Sequence, residues 1–294
     1  MNTATVTKPA ETGAPVVRRR ARSRRHMLGR IGLYALAILI TLFMLLPIYL
    51  IAVSAFSPQA KIYTFPKALI PHRSDLSTAT FSFFIHSTGV PQSVRNSIVV
   101  GLGTLLLSTL IGAPAGLALA RFFFRGRGAF QLFILSTRAF PGVILAIPLV
   151  VTFIRWNLYD KLLGVILVHT AFTLPTTILV MSSIFVSIPR DLEEAALTLG
   201  CTPFAAFWRI MLPLSLPGMA AVAIFTFVAS WNEVFAATIL TVKNRTLPAQ
   251  VLASLNSSQL PYKFAGGFAL VIPSLVFIFF MRRYLFNMWG RVVR

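Results

Sequence analysis

Few side chains in this chain can do chemistry, and they fall in two places. One is the stretch EEAALTLGCTPFAAFWRIMLPLSLPG, residues 193–218, which sets charges, a glycine and prolines into a very apolar sequence. The other is a set of polar groups within apolar runs: Arg138, His169 and the sequence SWNE at 230–233. Neither has the composition of a reaction centre. There is no His-Glu metal motif, no Gly-x-Ser-x-Gly and no paired-Asp site, so nucleophilic and metal-assisted hydrolysis lack their participants. We therefore expect no catalytic residue and no metal site. A phosphate-binding Gly-rich loop is also missing. The interrupted glycines of GLGTLLLSTLIGAPAG, residues 101–116, lie inside an apolar run, where small residues let helices approach closely. The lone Cys201 excludes an intramolecular disulfide and reads as a small buried apolar residue.

The elements that hold these groups follow from composition. Of 294 residues, 56% are hydrophobic and 12% charged, against about a quarter charged in soluble domains. Mean hydropathy is +0.79. A net charge of +20 could suit nucleic acid, but its distribution argues otherwise. Apolar runs recur at about 29–54, 93–120, 129–154, 162–187, 217–241 and 266–284, and a helix needs about 20 such residues to cross a bilayer. Each must be helical, since lipid offers no partner to backbone N–H and C=O groups. The runs are too long and continuously apolar for barrel strands. The expected fold is an all-α integral membrane protein with about six transmembrane helices over residues 29–284, lying in a lipid bilayer and binding no nucleic acid.

Lys and Arg give the orientation. With the N-terminus in the cytoplasm, 17 of them fall inside and nine outside, which favours both termini cytoplasmic. Residues 1–28 form a basic tail expected to be disordered. Its RRRARSRR run at 18–25 reads as an inner anchor near anionic lipid, and the apolar stretch after it is too long for a cleaved signal peptide. Residues 285–294 read as a second cytoplasmic tail.

By span count, the 188–216 segment lies in the cytoplasm between spans four and five and reads as two helices. Pro189 suits a first turn, and Asp191, Glu193 and Glu194 place negative charge at the helix N-terminus. Leu192, Ala195, Ala196 and Leu199 recur as one apolar face. Gly200 stops the helix, and Thr202 caps a second one with Pro203 in its first turn. Phe204, Phe207, Trp208 and Met211 repeat the spacing as one aromatic face, and Pro213 and Pro217 end this helix before the chain re-enters the membrane.

EEAALTLG followed by LPLSLPG resembles the EAA loop of ABC importer permeases: Glu-Ala-Ala, three variable positions, Gly, then Leu-Pro about a dozen residues on. Three further stretches resemble the carbohydrate-uptake branch, similar to the second permease of maltose-type systems: RNSIVVGLGTLLLSTLIGAPAGLALARFFFRGRG at 95–128, FTLPTTILVMSSIFVSIPRDLEEAA at 172–196 and ASWNEVFAATILT at 229–241. The likeness covers roughly residues 30–286. It implies a subunit of the bacterial inner membrane that moves a sugar, oligosaccharide, polyol or acidic sugar by alternating access. ATP and Mg would be bound by the partner ATPase, with no cofactor in this chain. The implied partners are two ATP-binding subunits, a second homologous permease and a soluble or periplasmic solute-binding protein. The resemblance assigns Glu193, Glu194, Ala195, Ala196, Gly200, Phe204, Phe207, Trp208 and Pro213 to the docking loop. Leu199 stands where the family often has Asp, so that polar contact is not carried over, and no Gly-rich tail contact is carried over to FNMWGRVVR at the C-terminal end.

Arg138, Trp231, Asn232 and Glu233 are the candidate cavity residues. An amide bonds hydroxyls and an indole face packs on a sugar ring. An Arg at the centre of a span costs about 3 kcal/mol on insertion scales, so Arg138 must line a cavity, find a partner in the bundle or reach toward water. Arg138 is expected roughly 14 Å and Glu233 roughly 24 Å from the inner ends of their spans, which a direct pair would have to bridge. His169 reads as a satisfied interior histidine. A stand-alone secondary transporter is the rival reading, since Pro141, Pro148, Pro175 and Pro273 allow broken helices.

Overall fold

The computed structural model describes residues 24–63, 70–72, 75–255 and 257–289; the basic run before Arg24 and the last five residues lie outside them. The chain divides at Ile48 into two units. Up to that point the described chain is one helix, α1 (Arg24–Ala55), apolar on all sides, as a membrane span should be.

The larger unit, from Tyr49 onward, holds the rest. Short helices α2 (Gln59–Ile62) and α3 (Ala79–His86) lead to α4 (Val90–Arg121). Then come α5 (Arg127–Ser136), α6 (Ala146–Arg155), α7 (Leu162–Val186), α8 (Arg190–Thr198) and α9 (Pro203–Ala206). The chain finishes with α10 (Leu212–Trp231), α11 (Phe235–Leu240), α12 (Leu247–Ser254) and α13 (Leu260–Trp289). Among the described residues, five helical runs are long and apolar enough to cross a membrane.

The third expected span, 129–154, is not one helix. It breaks between Ala139 and Gly142, and its halves bend by 79°. Pro141 is the cause. It lacks an N–H, and its ring drives Phe140 to an extended ψ of 120°. The fifth span also departs from the expected 217–241. Its helix already starts at Pro203, so Pro213 and Pro217 do not end an elbow helix. Pro213 sits in the first turn of α10, directly after a π turn, and Pro217 is carried within it. A π-helical turn at Phe207–Met211 joins α9 to α10, making one run of 29 residues from Pro203 to Trp231. That run stops at Asn232, and α11 starts afresh because the Glu233 carboxylate accepts from the N–H groups of Ala236 (3.0 Å) and Ala237 (3.3 Å).

The most extensive helix pair is α4 with α7, and small residues allow it. A Cβ added at Gly116 would lie 2.6 Å from Met181 Cβ and 2.8 Å from the Ser182 nitrogen. Close approach, not nucleotide binding, is the role of this glycine run. Three clusters fill the unit. Met181, Phe185, Ile188, Met211 and Val222 pack at the elbow end. Val100, Phe153, Val165 and Leu240 join α4, α6, α7 and α11. Phe227, Trp231, Leu247 and Val251 form the third, with Phe277 stacked 4.3 Å from Phe227.

The end opposite the elbow is tied by polar contacts. Asp160, at a φ of 56° that Asp tolerates, accepts on Oδ1 from the N–H groups of Val242 (2.8 Å), Lys243 (3.0 Å) and Asn244 (3.0 Å). Asn96 donates to the Arg245 carbonyl at 3.0 Å, and Ser97 Oγ accepts from the Leu247 N–H at 2.7 Å. The start of α4 and the 156–161 and 241–247 loops thus share one end. The elbow lies with the end of α4 at the other.

Candidate functional site

The elbow forms as its residue types dictate. Asp191 and Glu193 occupy the first turn of α8, where the helix dipole favours negative charge. Gly200 takes a φ of 87°, which costs glycine little. The Gly200 N–H then reaches the Leu197 carbonyl and the Cys201 N–H the Ala196 carbonyl, both at 3.0 Å, closing the paired bonds of a left-handed C-cap. Thr202 Oγ1 accepts from the Ala205 N–H at 3.2 Å and starts the second helix. Cys201, in the turn, is partly exposed rather than buried.

The faces of this elbow differ from the periodicity. In α8 only Ala196 is buried. Leu192, Ala195 and Leu199 are exposed, Leu199 to 86%. The aromatic residues also divide. Phe207 turns inward against Phe185, with ring centroids 6.3 Å apart, and Met211 is buried. Phe204, 72% exposed, and Trp208 face outward with centroids 6.1 Å apart. The π turn adds a residue per turn and breaks the i, i+3, i+4 register. The exposed side chains of the elbow therefore include Leu192, Glu194, Leu199, Phe204 and Trp208.

Glu193 and Glu194 separate in role. Glu193 turns back to Arg121, with Nε and Oε2 2.9 Å apart. This is a charge contact and not an aligned hydrogen bond, since the Nε–H has no acceptor in line. The largely buried Arg121 also donates from Nη2 to the Ile188 carbonyl at 3.0 Å and contacts Met211 Sδ at 3.8 Å. One guanidinium thus joins the end of α4, the α7–α8 link, α8 and the π turn. Arg190 and Arg127 both lie over the Phe123 ring, at 4.9 and 5.2 Å, tying α8 to the 122–127 loop. In the sequence Arg121 counts only among the inner basic residues that set orientation; nothing there marks it as the partner of groups that lie 67 to 90 residues further along the chain.

The second site lies along the broken third span. Thr137, Arg138 and Phe140 at the break, Phe172 and Pro175 of α7, and Glu233 and Phe235 line a cavity of about 520 Å³. Arg138 and Glu233 share this cavity but form no ion pair with each other. Glu233 instead meets His169 Nε2 at 2.9 Å, and His169 Nδ1 meets Ser230 Oγ at 2.8 Å. His169 is therefore a satisfied interior histidine. Trp231 is not a cavity residue. It is 1% exposed, stacks on Phe227 and donates from Nε1 to the Leu270 carbonyl at 3.0 Å. Asn232 is exposed, donates to the Val228 carbonyl at 2.9 Å and lies outside the cavity lining. The helix stop at 231–232 turns these two side chains away. Phe140, Phe172 and Phe235 were not anticipated, because nothing separates cavity phenylalanines from lipid-facing ones among 26. Among the described residues, no group of His, Cys, Asp or Glu could hold a metal ion.

Residues 112–287 match the family described as binding-protein-dependent transport system inner membrane component. The chain belongs to this family. The match spans α4 beyond Gly112, the broken span, the elbow and α10 to α13. Among relatives of this transport component, the diacetylchitobiose uptake system permease protein NgcG of Streptomyces coelicolor is 33% identical over 257 residues, 85% of this chain and 84% of that protein. The trehalose transport system permease protein SugB of Mycobacterium tuberculosis is 34% identical over 65% of this chain and 72% of its own. In structure, the chain is similar to one of a bacterial ABC transporter that imports the acidic polysaccharide alginate, with a TM-score of 0.69 and 24% identity over 90% of this chain and 98% of that one. The transport component fold thus carries both sites: an outward-facing elbow and a cavity at a helix break.

Proposed function

We propose that this transport component is the permease subunit of an ATP-binding-cassette importer for a saccharide, and that its elbow is the surface gripped by an ATP-binding subunit in the cytoplasm. The observation that carries this is the elbow itself. Leu199, Phe204 and Trp208 stand exposed on the elbow, as does Glu194, beside a capped turn. Exposed apolar side chains of this size, rimmed by charge, are the composition of a protein interface. Burying each stabilises a complex by about 1.5–3 kcal/mol. Among the described residues the Glu194 carboxylate meets no partner, whereas Glu193 serves the permease's own Arg121. The saccharide class is inferred from relatives named for diacetylchitobiose and trehalose uptake. A second permease would complete the cavity, a solute-binding protein would deliver substrate to the end bearing Asp160, and ATP and Mg would sit on the partner. Both termini would lie in the cytoplasm of a bacterium.

The test is co-purification and uptake with the chain's own ATP-binding subunits. Glu194→Lys and Gly200→Asp should release the ATPase or abolish the coupling of its hydrolysis to transport, while the permease still reaches the membrane. Unchanged uptake in both variants, or transport by the chain alone, would support a stand-alone secondary transporter instead.

A further inference from the structure

We propose that Arg138 recognises a negative charge on the transported molecule, so that the substrate is an acidic saccharide bearing a carboxylate, sulfate or phosphate group. This rests on the importer reading and names the substrate class of its cavity. Three observations converge. Arg138 is the penultimate residue of the first half of the broken span, in a 3-10 turn ending at Ala139. That places it about 17 Å along the helix axis from Arg127, a length comparable to half of a hydrocarbon layer about 30 Å thick. A discontinuous helix at this depth is where membrane transporters expose backbone and charge to a cargo site.

The second observation is pairing. The described ion pairs are Lys61–Asp75, Arg121–Glu193 and His169–Glu233. Among the described residues, Arg138 meets no carboxylate and donates to no acceptor. The one carboxylate lining its cavity, Glu233, is already held by His169 and by the Ala236 and Ala237 N–H groups. Arg138 is exposed and lines the cavity, and its planar fork suits an oxyanion bidentately. The break supports a cation here as well, because Arg138 sits in the last turn of the first half-helix, its negative dipole end.

The third is shape. The cavity holds about 520 Å³, within the range of small-molecule sites. Phe140, Phe172 and Phe235 line it and offer ring faces to the C–H surfaces of a sugar, while Arg138 addresses its charged substituent. A carboxylate from a second permease is the competing partner for Arg138, and subunit stoichiometry separates the two.

The assembled complex, purified in detergent, should be titrated with digalacturonic acid and with its carboxyl-reduced neutral counterpart, following saturation transfer up to millimolar sugar. The wild type should bind the acid at least tenfold more tightly. Arg138→Gln should bring the two within twofold of each other without weakening the neutral sugar, and Arg138→Lys should keep part of the preference. Subunit stoichiometry is measured on each preparation. No preference in the wild type, a preference surviving in Arg138→Gln, or loss of the second permease from Arg138→Gln would overturn the assignment; the last would mean that the guanidinium serves the subunit interface. No preference in the wild type while Glu194 variants still abolish docking would remove the acid assignment alone and leave the importer reading standing.

Discussion

Arg121 and Glu193 meet at 2.9 Å, joining the last residue of α4 to the first turn of the elbow. The elbow is thus fixed to α4 as well as to α7 and α10, which it follows and precedes in the chain. Arg121→Ala leaves Glu193 and the Ile188 carbonyl without their partner. We expect uptake to fall several-fold while ATP hydrolysis by the complex is retained, because docking depends on other side chains. The exchange Arg121→Glu with Glu193→Arg should recover part of the uptake. A double variant no better than either single one would show that the pair transmits nothing.

Gly200 has no atom within 4 Å of an added Cβ, yet its φ is 87°. The cost of substitution is therefore one of backbone alone. Gly200→Ala should destabilise the turn by about 1 kcal/mol and Gly200→Asn by less, since Asn visits this region more easily. Gly126 shares the same φ and the same open space but lies off the elbow. Gly126→Ala should carry a similar thermal penalty and leave ATPase co-purification intact.

Asp160 ties two loops through three N–H donors. Burial acts to raise its carboxyl, but the hydrogen bonds from Asn244, Val242 and Lys243 and the nearby Lys243 charge outweigh it, so the group lies below the usual carboxylate range. The contribution is then complete above the unfolded value of about 4 and disappears as pH falls through the lower folded value. Asp160→Asn should raise amide exchange at 242–244 at neutral pH, on the order of tenfold for one hydrogen bond's net worth. The difference from wild type should vanish in acid below the folded value. Equal exchange at pH 7 would show that the loop holds without it.

Trp231→Phe keeps the ring stack on Phe227 and loses only the bond to the Leu270 carbonyl. It should lower thermal stability by about 1 kcal/mol and leave sugar preference unchanged. A change of preference would return Trp231 to the cavity.

Much of this was legible in advance, and the reasons are physical. Apolar length located the first, second, fourth and last spans, because a bilayer admits little else; it missed the break in the third and the early start of the fifth. Gly200 and Thr202 were legible because their conformations are local. His169 was legible as satisfied, because an interior imidazole must find partners. The faces of the elbow were not, since a π turn shifts the register between Phe204 and Met211 without a sequence mark. Neither was the fate of Trp231, which depends on a carbonyl of α13, nor the pairing of Glu193 in place of Glu194. That choice is made by where α4 ends in space. The break at 139–142 left a trace in Pro141, but Pro175 and Pro217 sit in unbroken helices, so proline alone could not announce it.

The 29-residue rod from Pro203 to Trp231 has unequal ends. Trp231 is clamped between Phe227 and the Leu270 carbonyl, and the other extremity carries Phe204 into open space. At 1.5 Å per residue its reach is about 43 Å, so a swing of about 10° around the clamped tip sweeps the free tip through about 7 Å. Such a lever moves most at Phe204 and scarcely stirs beside Glu233.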